Sequence, residues 1–188
     1  MSVLRGYIRA VDGLNRRIGR VAMYVLFVMM AVLLWSILSK AGERPSLWTL
    51  EMAQFAMIAY FFLGGPYAIQ MGSHVRMDLF YDSWSPRRKA AVDALTVFCL
   101  LAYLGVLLWG GLSSTAYSLG YFGSEPLTFF AGLVTGEAEL GSLERSRTIW
   151  RPYLWPIKAL MCVGIVLMLL QATSELAKDV LRLRGEDA

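Results

Sequence analysis

The stretch VAMYVLFVMMAVLLWSILS, residues 21–39, runs for nineteen residues without a charged side chain. A helix needs about 20 apolar residues to cross the roughly 30 Å of hydrocarbon in a bilayer. Residues 94–124 form a longer uncharged run, and only 17% of the 188 residues are charged, against about a quarter in soluble domains. The sequence therefore predicts an all-α integral membrane protein.

The apolar runs predict four tilted transmembrane helices within a single membrane domain, 1–188. Their expected bounds are about 19–39, 47–71, 93–119 and 152–174. The first run follows five Arg, as a secretory signal would, but it exceeds the usual apolar core of about 7–15 residues and no small-residue cleavage site follows. We expect it to be retained as a span.

The distribution of Lys and Arg predicts the orientation, because cytoplasmic loops carry an excess of both. The side that holds both termini and the 72–92 loop has twelve, and the other side has five. Both termini are therefore expected in the cytoplasm and the 120–151 loop in the periplasm. Basic residues that flank spans also explain the net charge of +4 without a nucleic-acid partner.

Residues 4–20, LRGYIRAVDGLNRRIGR, place apolar side chains at helical spacing with Arg and Asp between them. This pattern predicts an amphipathic interfacial helix on the anionic cytoplasmic leaflet. The alternative is that the first helix simply extends into water. The basic residues expected to face lipid are Arg16, Arg17, Arg20, Arg87, Arg88 and Lys89.

The 120–151 loop is too long for a plain turn. Within it, LTFFAGLV (127–134) is expected to form a short helix that returns to the membrane interface.

Two ionisable residues lie inside predicted spans, where such residues are functional candidates. Glu51 and Lys158 have opposite charges and similar expected depths near the outer ends of the second and fourth spans. We expect them to pair within the chain; the alternative is that either one faces a partner subunit or an ion path.

The sequence offers little for catalysis. His74 is the sole histidine, and Cys99 and Cys162 lie in apolar runs without the spacing of a metal site. We therefore predict a protein that is not an enzyme and binds no cofactor.

Glycine and proline mark two further places. Gly64, Gly65 and Pro66 interrupt the second span, which indicates a kink or, alternatively, a binding site. The third span carries small residues, among them Gly105, Gly110 and Gly111, which would let another helix approach closely.

The segment 47–93, LWTLEMAQFAMIAYFFLGGPYAIQMGSHVRMDLFYDSWSPRRKAAVD, resembles the small membrane subunit of tripartite ATP-independent periplasmic (TRAP) transporters, the DctQ-like family. The resemblance rests on Trp48 and Glu51 at the start of the second helix and on a G-x-H-V-R-x-D signature. That signature consists of Gly72, His74, Val75, Arg76 and Asp78. Residues 155–171, WPIKALMCVGIVLMLLQ, are similar to the fourth helix of members linked to organic anions.

The resemblance implies a non-catalytic scaffold in a bacterial inner membrane. Its implied partners are a large elevator-type membrane subunit (M), which would bind sodium and substrate, and a periplasmic substrate-binding protein (P). The implied transport is sodium-driven uptake of a carboxylate, sugar acid or sulfonate. Trp48, Glu51, Gly72, His74, Arg76, Asp78 and Lys158 become structural or partner-interface candidates, with His74 either a hydrogen-bonded structural residue or a pH-responsive group.

The residues leave two alternative functions open. The first is a self-sufficient four-helix transporter or channel that works as an oligomer and carries solute without a large partner subunit. The second is a membrane enzyme or redox subunit, which a chromophore or metal bound to the purified protein would favour.

The predicted orientation can be tested with a single-cysteine tag at either terminus. In intact cells we expect neither tag to react with a membrane-impermeant thiol reagent, because the positive side remains cytoplasmic. Permeabilised cells provide the control, since both tags should then react. Labelling of either tag from outside would contradict the orientation.

Overall fold

The computed structural model describes residues 2–71 and 86–183, and there the chain is helical apart from turns, connecting loops and one isolated β-bridge. The helices of this part are α1 Ser2–Ala41, α2 Thr49–Gln70, α3 Pro86–Ser118, α4 Pro126–Thr135 and α5 Trp155–Leu183. All except α4 are long and apolar enough to cross a membrane. The predicted all-α fold with four spans is confirmed.

The bundle has two ends, which we call the loop end and the terminal end. The loop end contains the α1–α2 connection and the 119–154 connection between α3 and α5. The terminal end contains the beginning of α1 and the end of α5. The helix α5 continues nine residues past its expected end at 174, because charged residues end the apolar run without ending the helix.

Helix α5 is central to the bundle, since it packs against α1, α2 and α3. Its buried Ile165 and Ala172 form a core with Leu104 of α3. Phe62 of α2 and Met168 of α5 cover this core from the side. The other spans have mostly exposed surfaces, and α5 is the most buried of the four.

Glycine lets the helices approach α5. A Cβ added at Gly164 would lie 2.6 Å from the Cβ of Phe62 and 2.7 Å from its carbonyl oxygen. Gly111 of α3 faces Cys162 of α5 in the same way, with 3.1 Å to its Sγ. At each glycine the missing side chain lets the two helices come into direct contact. Such close packing favours helix association in a membrane, where burying apolar surface expels no water.

The Gly64–Gly65–Pro66 interruption does not end α2, which continues to Gln70 with Pro66 buried inside it. A Cβ at Gly65 would lie 2.9 Å from the Sδ of Met168. This segment is therefore a packing point between α2 and α5.

Helix α1 is one uninterrupted helix of 40 residues. At 1.5 Å per residue it is about 60 Å long, roughly twice the hydrocarbon thickness. In its first half Ile8, Val11 and Asn15 are buried, and Asn15 donates to Gln171 of α5. Segment 4–20 is thus continuous with the first span and packs on α5; whether it lies on the membrane surface or extends into water stays a prediction.

The short helix expected in the long loop is confirmed as α4. Pro126 occupies its first turn, where a missing N–H costs nothing, and Gly136 ends it in the left-handed region with φ of 80°. Phe129 packs against Ala116 of α3 and against Leu119, which follows that helix directly. It also stacks on Tyr121, with the ring centroids 4.6 Å apart. The contact of α4 with the membrane interface stays a prediction.

The glycine packing predicts a contrast between two substitutions. Gly164→Ala should destabilise the bundle by about 1–3 kcal/mol, the usual cost of overpacking, because its Cβ meets backbone atoms of α2. Gly105→Ala should be neutral or slightly stabilising, since nothing lies within 4 Å of an added Cβ there. Thermal unfolding in detergent compares the two, and equal effects would contradict this packing.

Candidate functional site: a polar clasp at the loop end

The loop end is closed by a short hairpin, residues 144–154. Its two arms are joined by hydrogen bonds from Ser146 N–H to the Pro152 carbonyl, 2.9 Å, and from Leu154 N–H to the Glu144 carbonyl, 3.2 Å. The guanidinium of Arg145 lies 4.4 Å from the centroid of the Tyr153 ring. The hairpin leads directly into α5, so its position is fixed relative to the first turn of that helix.

Glu51, in the first turn of α2, holds the hairpin from one side. Its side chain is 4% exposed, and its Oε1 accepts hydrogen bonds from Ser146 Oγ, at 2.6 Å, and from Thr148 Oγ1. The helix N-terminus favours a negative charge at this position. Glu51 therefore binds the hairpin through Oε1, while its buried Oε2 has no hydrogen-bond partner among the described residues.

Lys158, in the first turn of α5, holds the hairpin from the other side. Its Nζ lies 2.6 Å from Oε2 of Glu144 and donates to the Ser114 carbonyl of α3 at 3.3 Å. The pair expected between Glu51 and Lys158 is therefore not formed, because each residue binds a different part of the same hairpin. Both residues lie in the first turn of their helices at the loop end, but the loop between them supplies both partners.

These contacts join three helices through one loop. Besides Glu51 and Lys158, the Glu144 N–H donates to the Ser118 carbonyl at the end of α3, at 3.0 Å. We call the hairpin 144–154 with these contacts the clasp. The sequence analysis did not identify Glu144, Ser146 and Thr148 as site residues. The concentration of Glu and hydroxyl residues in the long loop is a signal that could have led to them.

A second polar cluster joins α1 to α5 at the terminal end. Asp12 forms an ion pair with Lys178, 2.7 Å, and accepts from Gln171 Nε2 at 2.9 Å. Asn15, only 1% exposed, donates to Gln171 Oε1 at 2.7 Å, and Ser174 donates to Asp12. The sequence placed these residues at helical spacing but gave no sign that the two helices meet.

The remaining candidate residues have the following places. Trp48 occupies the N-cap position of α2 without a side-chain capping hydrogen bond and is partly exposed. Arg16, Arg17 and Arg20 are exposed on α1, and Arg87, Arg88 and Lys89 lie in the first turns of α3. Their contact with lipid stays a prediction. Gly72, His74, Arg76 and Asp78 lie outside the described residues.

The chemistry that these groups support is structural. Within residues 2–71 and 86–183, no three His, Cys, Asp or Glu side chains lie close enough to hold a metal ion. Cys99 is exposed and Cys162 is buried, and both are free thiols. The polar side chains bind one another at the two ends of the bundle, which holds its helices together.

The small residues of α3 divide between two faces. Gly111 packs on α5, whereas Gly105 and Gly110 have nothing within 4 Å of an added Cβ. The outward face also carries exposed Leu95, Phe98 and Val106. This face is apolar and has room for another helix to approach.

The fold and the site together define a class of protein. It is a multi-pass helical membrane protein whose charged side chains form hydrogen bonds and ion pairs at the helix ends. Within that class, a family model for the DctQ component of tripartite ATP-independent periplasmic transporters matches residues 29–182. The chain belongs to this family. The match begins in the second half of α1 and continues through α2, α3 and α4 nearly to the end of α5.

A similar relative is the isethionate TRAP transporter permease protein DctMQ of Oleidesulfovibrio alaskensis. The two are 29% identical over 85 residues, which is 45% of this chain and 13% of that relative. The chain thus aligns with a small part of a much longer protein. No solved structure matches this chain.

The clasp predicts which charge changes interact. Glu144→Gln and Lys158→Gln should show a coupling free energy of about 1 kcal/mol, as expected for a partly exposed ion pair. Glu51→Gln and Lys158→Gln should be additive within about 0.5 kcal/mol, because they share no partner. Unfolding of the single and double variants measures both cycles, and strong coupling of Glu51 with Lys158 would contradict the observed pairing.

Proposed function

We propose that this chain is the small membrane subunit, Q, of a TRAP transporter and acts as a non-catalytic scaffold. In this role it supports a large elevator-type subunit, M, which moves substrate across the membrane. A periplasmic binding protein, P, delivers the substrate, and a sodium gradient drives uptake. The subunit lies in the inner membrane of a bacterium, with both termini in the cytoplasm and the 120–151 loop in the periplasm.

The observation that carries this proposal is where the buried and half-buried charged side chains of the described residues lie. Glu51 is bound by the hairpin at the loop end, and Asp12 and Lys178 bind each other at the terminal end. Between them α5 presents Ile165, packed on its neighbours. A transport site near the middle of the membrane would need convergent polar groups there, whereas a scaffold needs an apolar core held at its ends.

The outer surfaces of α1 and α3 fit a subunit with a membrane partner. In α1 the exposed apolar residues include Tyr24, Phe27, Leu34 and Ile37, and the helix as a whole packs more against α2 than against α5. On α3 the open glycines allow close approach of another helix. We assign the large subunit to one of these two faces and lipid to the other.

The proposed substrate is an organic anion, and the sulfonate class is favoured among carboxylates, sugar acids and sulfonates. The support is the isethionate named for the similar permease. In the proposed arrangement sodium and substrate bind the large subunit, and this chain holds no cofactor and catalyses no reaction.

Reconstitution distinguishes this function from a self-sufficient oligomeric transporter or channel. We expect this chain to co-purify with a large membrane subunit encoded in the same host. Liposomes that contain both, supplied with binding protein and a sodium gradient, should accumulate radiolabelled isethionate or a related anion. Liposomes with this chain alone should show no uptake, and empty liposomes set the background.

Uptake or ion flux by this chain alone would overturn the scaffold role in favour of the oligomeric transporter. Full uptake by the large subunit without this chain would contradict the proposed dependence of M on Q.

A further inference from the structure

The tip of the hairpin, residues 147–151, is the most exposed part of the clasp. Ile149 is 78% exposed and Trp150 is 42% exposed, although full burial of such a side chain is worth about 1.5–3 kcal/mol. Arg147 and Arg151 flank these two apolar residues and are exposed as well. The tip therefore presents an apolar surface between two cations.

The contacts of the clasp fix the depth of this tip. Thr148 and Ser146 bind Glu51, which lies in the first turn of α2. On the other side the chain enters α5 at Trp155 only four residues after Arg151. The tip is thus held at the level where two spanning helices begin.

Two further tryptophans mark the same level. Trp48 at the start of α2 and Trp155 at the start of α5 are 38% and 39% exposed. Tryptophan concentrates where hydrocarbon meets the lipid headgroups. Trp150 lies five residues before Trp155 and two residues after Thr148, which binds Glu51 at the start of α2, so the clasp holds it near both helix starts.

The backbone of the tip contains a residue in an energetically unfavourable conformation. Arg151 has φ of 50°, a left-handed conformation that costs a non-glycine residue roughly 1–2 kcal/mol. The hydrogen bond from Ser146 to Pro152 and the two hydroxyl bonds to Glu51 hold the tip in this form. The tip is therefore a fixed projection with a defined direction.

We propose that the hairpin tip is a lipid anchor of the leaflet at the loop end. Ile149 and Trp150 insert among the headgroups, and Arg147 and Arg151 bind the lipid phosphate oxygens. Arginine suits this role for two reasons. The donors of its guanidinium match the geometry of a phosphate, and its methylene groups can be buried along an apolar surface. Glu51 is the positioning residue that holds the anchor at its depth. The inference rests on the four-span membrane fold and does not require the scaffold function.

The anchor can be tested by fluorescence quenching in lipid nanodiscs. The full chain, with any membrane subunit that co-purifies, carries Ile149→Cys labelled with an environment-sensitive fluorophore, and Cys99 and Cys162 are replaced by Ala. Phospholipid with a nitroxide near the headgroup is the lipid quencher, and iodide is the aqueous quencher. The matched control carries the same label at Glu139→Cys, an exposed position in the same loop.

The anchor predicts a blue-shifted emission at position 149 and a loss of fluorescence with nitroxide lipid, while position 139 responds chiefly to iodide. Iodide quenching without lipid quenching at 149 would overturn it. Protection of 149 from both quenchers would also overturn it, because a protein partner would then cover the tip. Equal lipid quenching at 139 and 149 would remove the special role of the tip.

A second pair of variants tests the role of Glu51. In the labelled background Glu51→Ala should reduce the lipid quenching at 149, because the hydroxyls of Ser146 and Thr148 lose their acceptor. Glu51→Gln should preserve most of it, since its amide oxygen still accepts. Both variants are compared after size-exclusion chromatography confirms a folded, monodisperse sample. Unchanged lipid quenching in Glu51→Ala would remove Glu51 from the anchor.

Discussion

The structure depends on one constraint, that polar groups within hydrocarbon have no water to bind and must bind one another. In the described residues the buried and half-buried charged side chains are collected at the two ends of the helices. Glu51 and Lys158 bind a folded-back hairpin at the loop end, and Asp12 binds Lys178 at the terminal end. The middle of the bundle is left to apolar side chains and glycine.

The same constraint explains the central place of α5. Apolar side chains gain little from leaving lipid for another apolar helix, so association depends on close contact and on polar bonds. Helix α5 provides both: Gly164 brings it against Phe62, and Gln171 and Lys178 bond to α1. Helices α1 and α3 lie on either side of it with large apolar faces uncovered. That asymmetry suits a part of a larger membrane assembly better than a closed bundle.

The long connection between α3 and α5 is a structural part of the bundle. Its helix α4 packs an aromatic cluster on the end of α3, and its hairpin joins α2, α3 and α5. A connection built this way fixes the spacing of three helix ends, and it carries its own exposed residues at a defined level. The proposed lipid anchor and the proposed scaffold role both use this rigidity, the first at the membrane surface and the second between subunits.

The sequence by itself determined the spans, because twenty apolar residues in a row exclude most other structures. It also identified Glu51 and Lys158 as unusual, since an ionisable residue in an apolar run is a local observation. It predicted α4 from a short apolar run within a polar loop.

Only the tertiary structure decided which groups meet. The partners of Glu51 and Lys158 lie 95 and 14 residues away in the chain, in a hairpin without hydrophobic periodicity, so no local pattern could reveal them. Likewise the apolar stripe of residues 4–20 indicated a face to be covered, but lipid and a neighbouring helix satisfy the same pattern. The buried hydrogen bond between Asn15 and Gln171 shows that α5 covers this face. A polar side chain in a fixed position can distinguish a protein neighbour from lipid, whereas apolar periodicity cannot.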